Sequence, residues 1–200
     1  MVESNEWQEL VRARLLERRT VLVSGDLDSA AATQAVAQLM TLDATGDGTI
    51  HLQLDCAGTS LDPAFSLMDT IDLLGVRVHV TCVGRVEGAA VGVLAVGHHR
   101  AATRHARILL RDPTESFEGR ASELGGLVEQ AILRLAQFHE RIAQATRQAP
   151  ETVAEDCRRG RYLGAEEALA YGLIDEIAER GASVVSFPSA GFGFRPPGRR

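Results

Sequence analysis

The sequence predicts an α/β fold with a largely parallel sheet, and three observations carry that prediction. Short apolar or alternating runs typical of strands recur at residues 20–24, 50–56, 78–83 and 107–110. Segments with helical apolar stripes separate these runs, as crossovers between parallel strands require. A chain of 200 residues that is 45% hydrophobic is also long enough to form one domain with a sizeable core.

Helices are predicted at residues 7–19, 30–41, 63–74, 121–147, 150–157 and 165–171. Asp28 or Ser29 is placed to cap the second of them. The fourth is the longest, and its apolar stripe consists of Leu124, Leu127, Val128, Ala131, Ile132, Leu135, Phe138 and Ile142. Such a stripe indicates either an oligomer contact or a core helix, and the pattern alone does not separate the two.

Composition argues against several functional classes. The net charge of -6 and the aromatic content of 4% predict no nucleic-acid partner. All 21 basic residues are arginine, which excludes lysine-dependent nucleophiles. There is no long apolar span, and residues 1–19 are too charged for a signal peptide, so we expect a cytoplasmic protein without membrane contact.

No cofactor and no metal site are predicted. Cys56, Cys82 and Cys157 lack CxxC spacing, and we interpret them as inert buried thiols in a reducing compartment. His98 and His99 follow Gly97 in a predicted loop, where too few ligands converge for a metal ion.

The central stretch is VHVTCVGRVEGAAVGVLAVG, at residues 78–97. It predicts a buried strand, a turn at residues 85–89 and a buried helix at residues 88–96. A turn of this kind commonly mounts a nucleophile, and the backbone N–H groups at the helix start can stabilise an oxyanion. This turn contains no Ser, Cys or Thr. The sequence therefore indicates the architecture of a hydrolase site without its nucleophile.

Six segments carry a family resemblance, at residues 14–25, 50–60, 68–71, 83–97, 107–113 and 162–176. Over about residues 13–178 the chain resembles the proteolytic subunit of the ATP-dependent Clp protease (ClpP). The most specific piece is AEEALAYGLIDEI at residues 165–177, which relatives across the wider ClpP/crotonase group share.

The resemblance implies a fold and an assembly. It implies a spiral of repeated strand–strand–helix units over residues 13–180, with a protruding handle at about residues 114–147. It also implies two stacked seven-membered rings, formed with itself or with catalytic ClpP paralogues. Residues 1–12 are then a short N-terminal segment, and residues 181–200, rich in Gly and Pro, are predicted to be a disordered tail.

The family uses a Ser–His–Asp triad, and the resemblance places its three members at Gly88, Arg111 and Gly160. Glycine has no nucleophile, arginine stays protonated and cannot act as a base, and a second glycine cannot orient an imidazole. The substrate cradle and oxyanion hole correspond to Gly58, Thr59 and Ala89, where a threonine replaces the second glycine of the family's pair.

The family also docks its ATPase in an apolar surface pocket. The matching positions are Gln53, Leu73, Thr81, Ala101 and Thr103, and only Leu73 is a large apolar residue. A docking loop would bury little apolar area there and would desolvate polar groups. Together with the short N-terminal segment, this predicts weak or indirect contact with a Clp ATPase.

The candidates for a replacement site are the remaining reactive side chains, which are Ser60, Ser116, Cys56, Cys82, Cys157, Glu87, Asp112, His98 and His99. None has a convincing arrangement in the sequence. Glu87 is next to the empty nucleophile position, and we expect it to form an ion pair with Arg111 that fills the former site.

Three functional interpretations stay open. The favoured one is an inactive ClpP-like subunit that assembles with catalytic paralogues and regulates them. The second is a homo-oligomeric pseudoenzyme that serves as a scaffold. The third is a crotonase-like hydrolase or acyl-CoA enzyme that uses a repurposed oxyanion hole.

Overall fold

The computed structural model describes residues 2–114 and 120–178. The predicted tail at residues 181–200 and the candidate Ser116 lie outside the described residues. Seven helices are described: α1 (Val2–Glu17), α2 (Ser29–Ala44), α3 (Leu61–Leu73), α4 (Ala90–Ala95), α5 (Ala121–Thr146), α6 (Pro150–Arg159) and α7 (Ala165–Tyr171). Seven strands are described: β1 (Thr20–Asp26), β2 (Ile50–Gly58), β3 (Val78–Gly88), β4 (His99–Thr103), β5 (Arg107–Leu110), β6 (Arg161–Gly164) and β7 (Glu176–Ala178).

The strands form one mostly parallel sheet, which confirms the predicted α/β class. Its main path runs β1-β2-β3-β4-β7, and every pair along it is parallel. The first half of β3 pairs with β4, and its second half pairs with β5. Strand β6 is antiparallel to β5. The long β3 therefore connects the main sheet to the β5–β6 extension.

The structure corrects the prediction for the central stretch. Residues 85–87, predicted as a turn, continue β3, and the buried helix that follows is only Ala90–Ala95. An irregularity in the ladder explains the extra length: Leu54 is opposite Cys82, but Cys56 is opposite Val86. The Asp55 carboxylate accepts a hydrogen bond from the Arg85 backbone N–H at 3.0 Å and so stabilises the bulged segment.

Residues 173–177 fit a strand or a short helix by pattern, and the structure has β7 at Glu176–Ala178. Two other strands have no counterpart in the sequence pattern. His99, predicted in a loop, begins β4, and Arg161 begins β6. Both strands are short, at five and four residues, and rich in polar or small residues, so they lack the apolar run that identifies a strand in isolation. Neighbouring strands supply their hydrogen bonds, and only the fold reveals them.

One face of the sheet forms the core. Along β2, Ile50, Leu52, Leu54 and Cys56 are fully buried, whereas the residues between them are half-buried. This agrees with the predicted alternation. Helix α4 packs within the core against β3, α3 and α5, and all six of its residues are buried.

The long helix α5 confirms the prediction at residues 121–147, and its apolar stripe divides into two parts. Phe138 and Ile142 are completely buried in the core. Leu127, Val128 and Ile132 are 39%, 45% and 62% exposed. The C-terminal half of α5 is thus a core helix, and the N-terminal half presents apolar side chains to solvent. The core-helix alternative therefore holds for the C-terminal half, and an oligomer contact by the N-terminal half stays a prediction.

Candidate functional site

The predicted nucleophile position, Gly88, lies at the end of β3, directly before α4. Its φ is +60°, a conformation that L-residues with a side chain rarely adopt. A Cβ atom built on Gly88 would lie 2.4 Å from the carbonyl oxygen of Gly58, far inside contact distance. The backbone here therefore disfavours a side chain at Gly88 on two grounds, the positive φ and the contact with Gly58.

The neighbouring oxyanion position is already occupied by a backbone hydrogen bond. The Ala89 N–H donates to the carbonyl oxygen of Gly58 at 2.9 Å. The side of Gly58 is equally closed, because a Cβ on that residue would lie 2.6 Å from the Ala90 nitrogen. An oxyanion needs a donor that points at the reacting atom, and this N–H points at the protein itself.

The other two predicted triad positions lie close to the first. Arg111 follows β5, and its carbonyl oxygen is 3.9 Å from the position that a Cβ on Gly88 would take. Gly160 ends α6 at φ +73° and precedes Arg161, which pairs with Leu110 across the β5–β6 ladder. The structure thus brings the three positions to one region. Their equivalence to a catalytic triad stays a prediction.

The remaining cradle residue, Thr59, is exposed. Its carbonyl accepts a hydrogen bond from the Thr114 N–H at 3.0 Å, which ties the turn after β2 to the segment after β5. Ser60 precedes α3 as its N-cap residue and makes no side-chain capping hydrogen bond. Neither hydroxyl is placed beside a base by any contact among the described residues.

The expected ion pair between Glu87 and Arg111 is not what the structure contains. Glu87 instead lies 3.9 Å from Arg85 and 4.0 Å from Arg107. The reason is the strand geometry: Arg85 is on the same face of β3, and it faces Arg107 on β5. Two arginines of the β3–β5 ladder therefore approach Glu87. The predicted ion pair between Glu87 and Arg111 is wrong.

A cluster that the sequence did not reveal lies beside this region. The Asp112 Oδ1 and the His139 Nε2 are 2.8 Å apart, and the Sγ of Cys157 belongs to the same group, with all three ligand atoms within 4.8 Å. Asp112 and Cys157 were separate candidates, but His139, 27 residues from Asp112 on α5, was missed. Only the packing of α5 against α6 brings it there.

The three cysteines are buried and not disulfide-bonded, as predicted. Burial raises the pKa of each thiol to about 12. For Cys157, the carboxylates of Asp112 and Asp156 raise the pKa further. A thiol in this state is a poor nucleophile at neutral pH, so none of the three cysteines is suited to covalent catalysis.

Four of the five predicted docking positions lie on one face of the sheet, and the fifth, Leu73, lies on α3. Gln53, Thr81 and Ala101 are side by side in one row across β2, β3 and β4. The Thr103 hydroxyl donates to the Val83 carbonyl at 3.2 Å, and Leu73, at the end of α3, is 85% exposed. The role of these five residues in partner binding stays a prediction.

A row of histidines crosses the same face, two residues earlier in each strand. His51, His79 and His99 are neighbours on β2, β3 and β4, with ring centroids 5.7 and 5.1 Å apart. Burial lowers the pKa of His51 and His79, and for His79 the neighbouring histidines lower it further. His99 approaches Glu176 at 3.1 Å. Sequence reasoning missed the row because the strand β4 was missed.

No helix within residues 2–114 and 120–178 is long and apolar enough to cross a membrane. Comparison with protein families returns a match to the family described as Clp protease, over residues 3–181. The match spans nearly the whole chain, including β3, the α5 helix and the closing segment that carried the resemblance. Family members of this kind are subunits of oligomeric rings. The chain therefore belongs to the Clp protease family.

Proposed function

We propose that this chain is a catalytically inactive ClpP-like subunit that acts as a structural and regulatory partner of catalytic ClpP paralogues in mixed cytoplasmic rings. The observation that carries the proposal is the backbone at Gly88. A serine side chain there would collide with the Gly58 carbonyl, 2.4 Å from its Cβ. Loss of the whole triad leaves at most what an oxyanion hole and binding supply.

The hydrogen bond already made at the predicted oxyanion position also supports a catalytically inactive subunit. The Ala89 N–H already donates to Gly58 at 2.9 Å, so a bound carbonyl would have to displace a backbone hydrogen bond. This also disfavours the crotonase-like alternative, since that chemistry depends on the same donors.

The exposed half of α5 supports the assembly part of the proposal. Leu127, Val128 and Ile132 form an exposed apolar stripe on a helix whose other half is anchored in the core. Leu124 and Leu135 flank them and are half-buried. Burial of such a stripe between subunits would stabilise a ring assembly, at about 25 cal/mol per Å² of apolar surface removed from water.

The decisive experiment is native mass spectrometry of the chain alone and after co-expression with a catalytic ClpP paralogue from the same source. Peptidase activity is measured on both samples. We expect an inactive chain that enters a mixed double-ring particle and changes the activity of the paralogue. A homo-oligomer that ignores the paralogue would favour the scaffold interpretation. Intrinsic peptidase or thioesterase activity of the pure chain would refute the proposal.

A matched pair of variants tests the assembly surface. Ile132→Glu places a charge in the exposed stripe, and Gln130→Glu places the same charge elsewhere on the exposed part of α5. We expect Ile132→Glu to abolish the mixed particle and Gln130→Glu to retain it. Equal behaviour of the two variants would mean that the stripe does not hold the subunits together.

A further inference from the structure

We propose that Asp112, His139 and Cys157 form a binding site for one divalent cation of the zinc class. The site goes beyond the proposed function and does not depend on it. A carboxylate oxygen, an imidazole nitrogen and a sulfur lie within 4.8 Å of one another. Three separate elements supply them: the segment after β5, helix α5 and helix α6.

The chemistry of the ligand set selects the metal. Zinc is bound by Cys, His and Asp side chains, and a site with three protein ligands and one open position is a common zinc arrangement. Calcium and magnesium prefer oxygen ligands throughout, so a set with one nitrogen and one sulfur disfavours them. Ligand atoms about 2.0–2.3 Å from a tetrahedral zinc ion lie roughly 3.3–3.8 Å from one another. The Asp112 oxygen and the His139 nitrogen, 2.8 Å apart, must therefore separate slightly, and any ligand pair near the 4.8 Å limit must move closer.

Two of the three ligand residues are buried, and the third is partly exposed, so a metal ion can reach the cluster from solvent. His139 is 8% exposed and Cys157 is 1% exposed, so both are held in place by packing. The Asp112 side chain is 29% exposed, which leaves one side open to solvent and to a water ligand. The Asp112 N–H donates to the Cys157 carbonyl at 3.2 Å, and this hydrogen bond keeps the two ligand residues together.

Charge favours a cation at this place. Among the residues that the structure describes, the ion-pair partner of Asp112 is His139, not an arginine. The nearby arginines of α6 are paired elsewhere: Arg158 and Arg159 both contact Glu155. A divalent ion would therefore meet a carboxylate that no guanidinium neutralises.

Binding follows a simple proton balance. The Cys157 thiol releases its proton to solvent as the sulfur–metal bond forms. The hydrogen that His139 Nε2 donates to Asp112 transfers through solvent to Nδ1, so that Nε2 offers its lone pair to the metal while Nδ1 carries the ring hydrogen. The Asp112 carboxylate exchanges its contact with Nε2, at 2.8 Å, for a bond to the metal. No electron transfer and no co-reactant are involved.

The test is a titration of the full chain with Co²⁺ and Zn²⁺. Cobalt bound to a cysteine sulfur gives a sulfur-to-metal charge-transfer absorption in the near ultraviolet, whereas cobalt on the row of His51, His79 and His99 does not. We expect this band to saturate at one cobalt per chain and to disappear when zinc is added. Absence of the band, with the wild-type chain folded, overturns the proposal.

Variants assign the ligands. Cys157→Ser and His139→Gln should each weaken zinc binding by on the order of 100-fold or more, beyond the loss typical of an outer-shell partner. Cys82→Ser and His79→Gln are matched controls outside the cluster and should leave zinc affinity unchanged. Circular dichroism establishes that each variant is folded. A charge-transfer band that survives in folded Cys157→Ser, or is lost in folded Cys82→Ser, would also overturn the assignment.

Discussion

The substitution Gly88→Ala is the sharpest test of the geometry at the predicted nucleophile position. Two effects should destabilise the folded state of this variant. A non-glycine residue in the left-handed region costs about 1–2 kcal/mol. The added Cβ would also lie 2.4 Å from the Gly58 carbonyl oxygen, and the strand ends must separate to relieve this contact. That movement breaks the hydrogen bond from Ala89 to Gly58, and leaving buried groups unpaired costs about 1–3 kcal/mol.

We therefore expect Gly88→Ala to lower the free energy of unfolding by about 2–5 kcal/mol. Gly160→Ala is the matched control, because Gly160 has a similar φ of +73° and no atom lies within 4 Å of the position that an added Cβ would take. Gly160→Ala should lower the free energy of unfolding only by the cost of a non-glycine residue in the left-handed region, about 1–2 kcal/mol. Gly25→Ala, at φ +87° and equally open, provides a second control.

Urea unfolding, monitored by circular dichroism, measures the free energy of unfolding of the three variants. Protein concentration is held constant, because association adds apparent stability. The reasoning would be refuted if Gly88→Ala cost no more than Gly160→Ala, since the collision with Gly58 would then have no energetic consequence. An equal cost at all three glycines would leave only the backbone preference as an explanation.

Further predictions concern activity, helix stability and pH. Gly88→Ser, made in a chain that also carries Arg111→His and Gly160→Asp, should show no peptidase activity in a fluorogenic peptide assay, because the Cβ at position 88 has no room; measurable turnover would contradict this. Gly126→Ala, at a helical position with open space around it, should raise the free energy of unfolding by about 0.8–1 kcal/mol, measured by urea unfolding. Burial raises the pKa of Asp175, but the hydrogen bonds and charge of Arg100 lower it more, so the net pKa lies below its usual value. A carboxylate with a lowered folded-state pKa contributes stability above its unfolded pKa of about 3.9 and loses it as the pH falls through the folded value. Asp175→Asn should therefore be less stable at neutral pH and show a shallower loss below about pH 4 in acid unfolding curves.

The strand and the helix that flank Gly88 could be predicted from the sequence, because their local patterns are strong, whereas the predicted turn between them was wrong. The β-branched run at the start of β3 and the small apolar residues of α4 have few alternative structures. The pairing of Gly88 with Gly58 could not be predicted from local sequence pattern. It depends on the bulge between Leu54 and Cys56, which is a property of two strands together.

The sequence by itself determined the α/β class, the buried unpaired cysteines, the long helix and the family resemblance. These features follow from periodicity, composition and motif, which are local properties of the chain. The tertiary structure alone decided which arginines approach Glu87, that α5 is half core and half exposed stripe, and that the Ala89 N–H is already bonded. It also brought Asp112, His139 and Cys157 together. Side-chain partners of this kind come from elements far apart in the chain, and their meeting is set by packing, which no local pattern encodes.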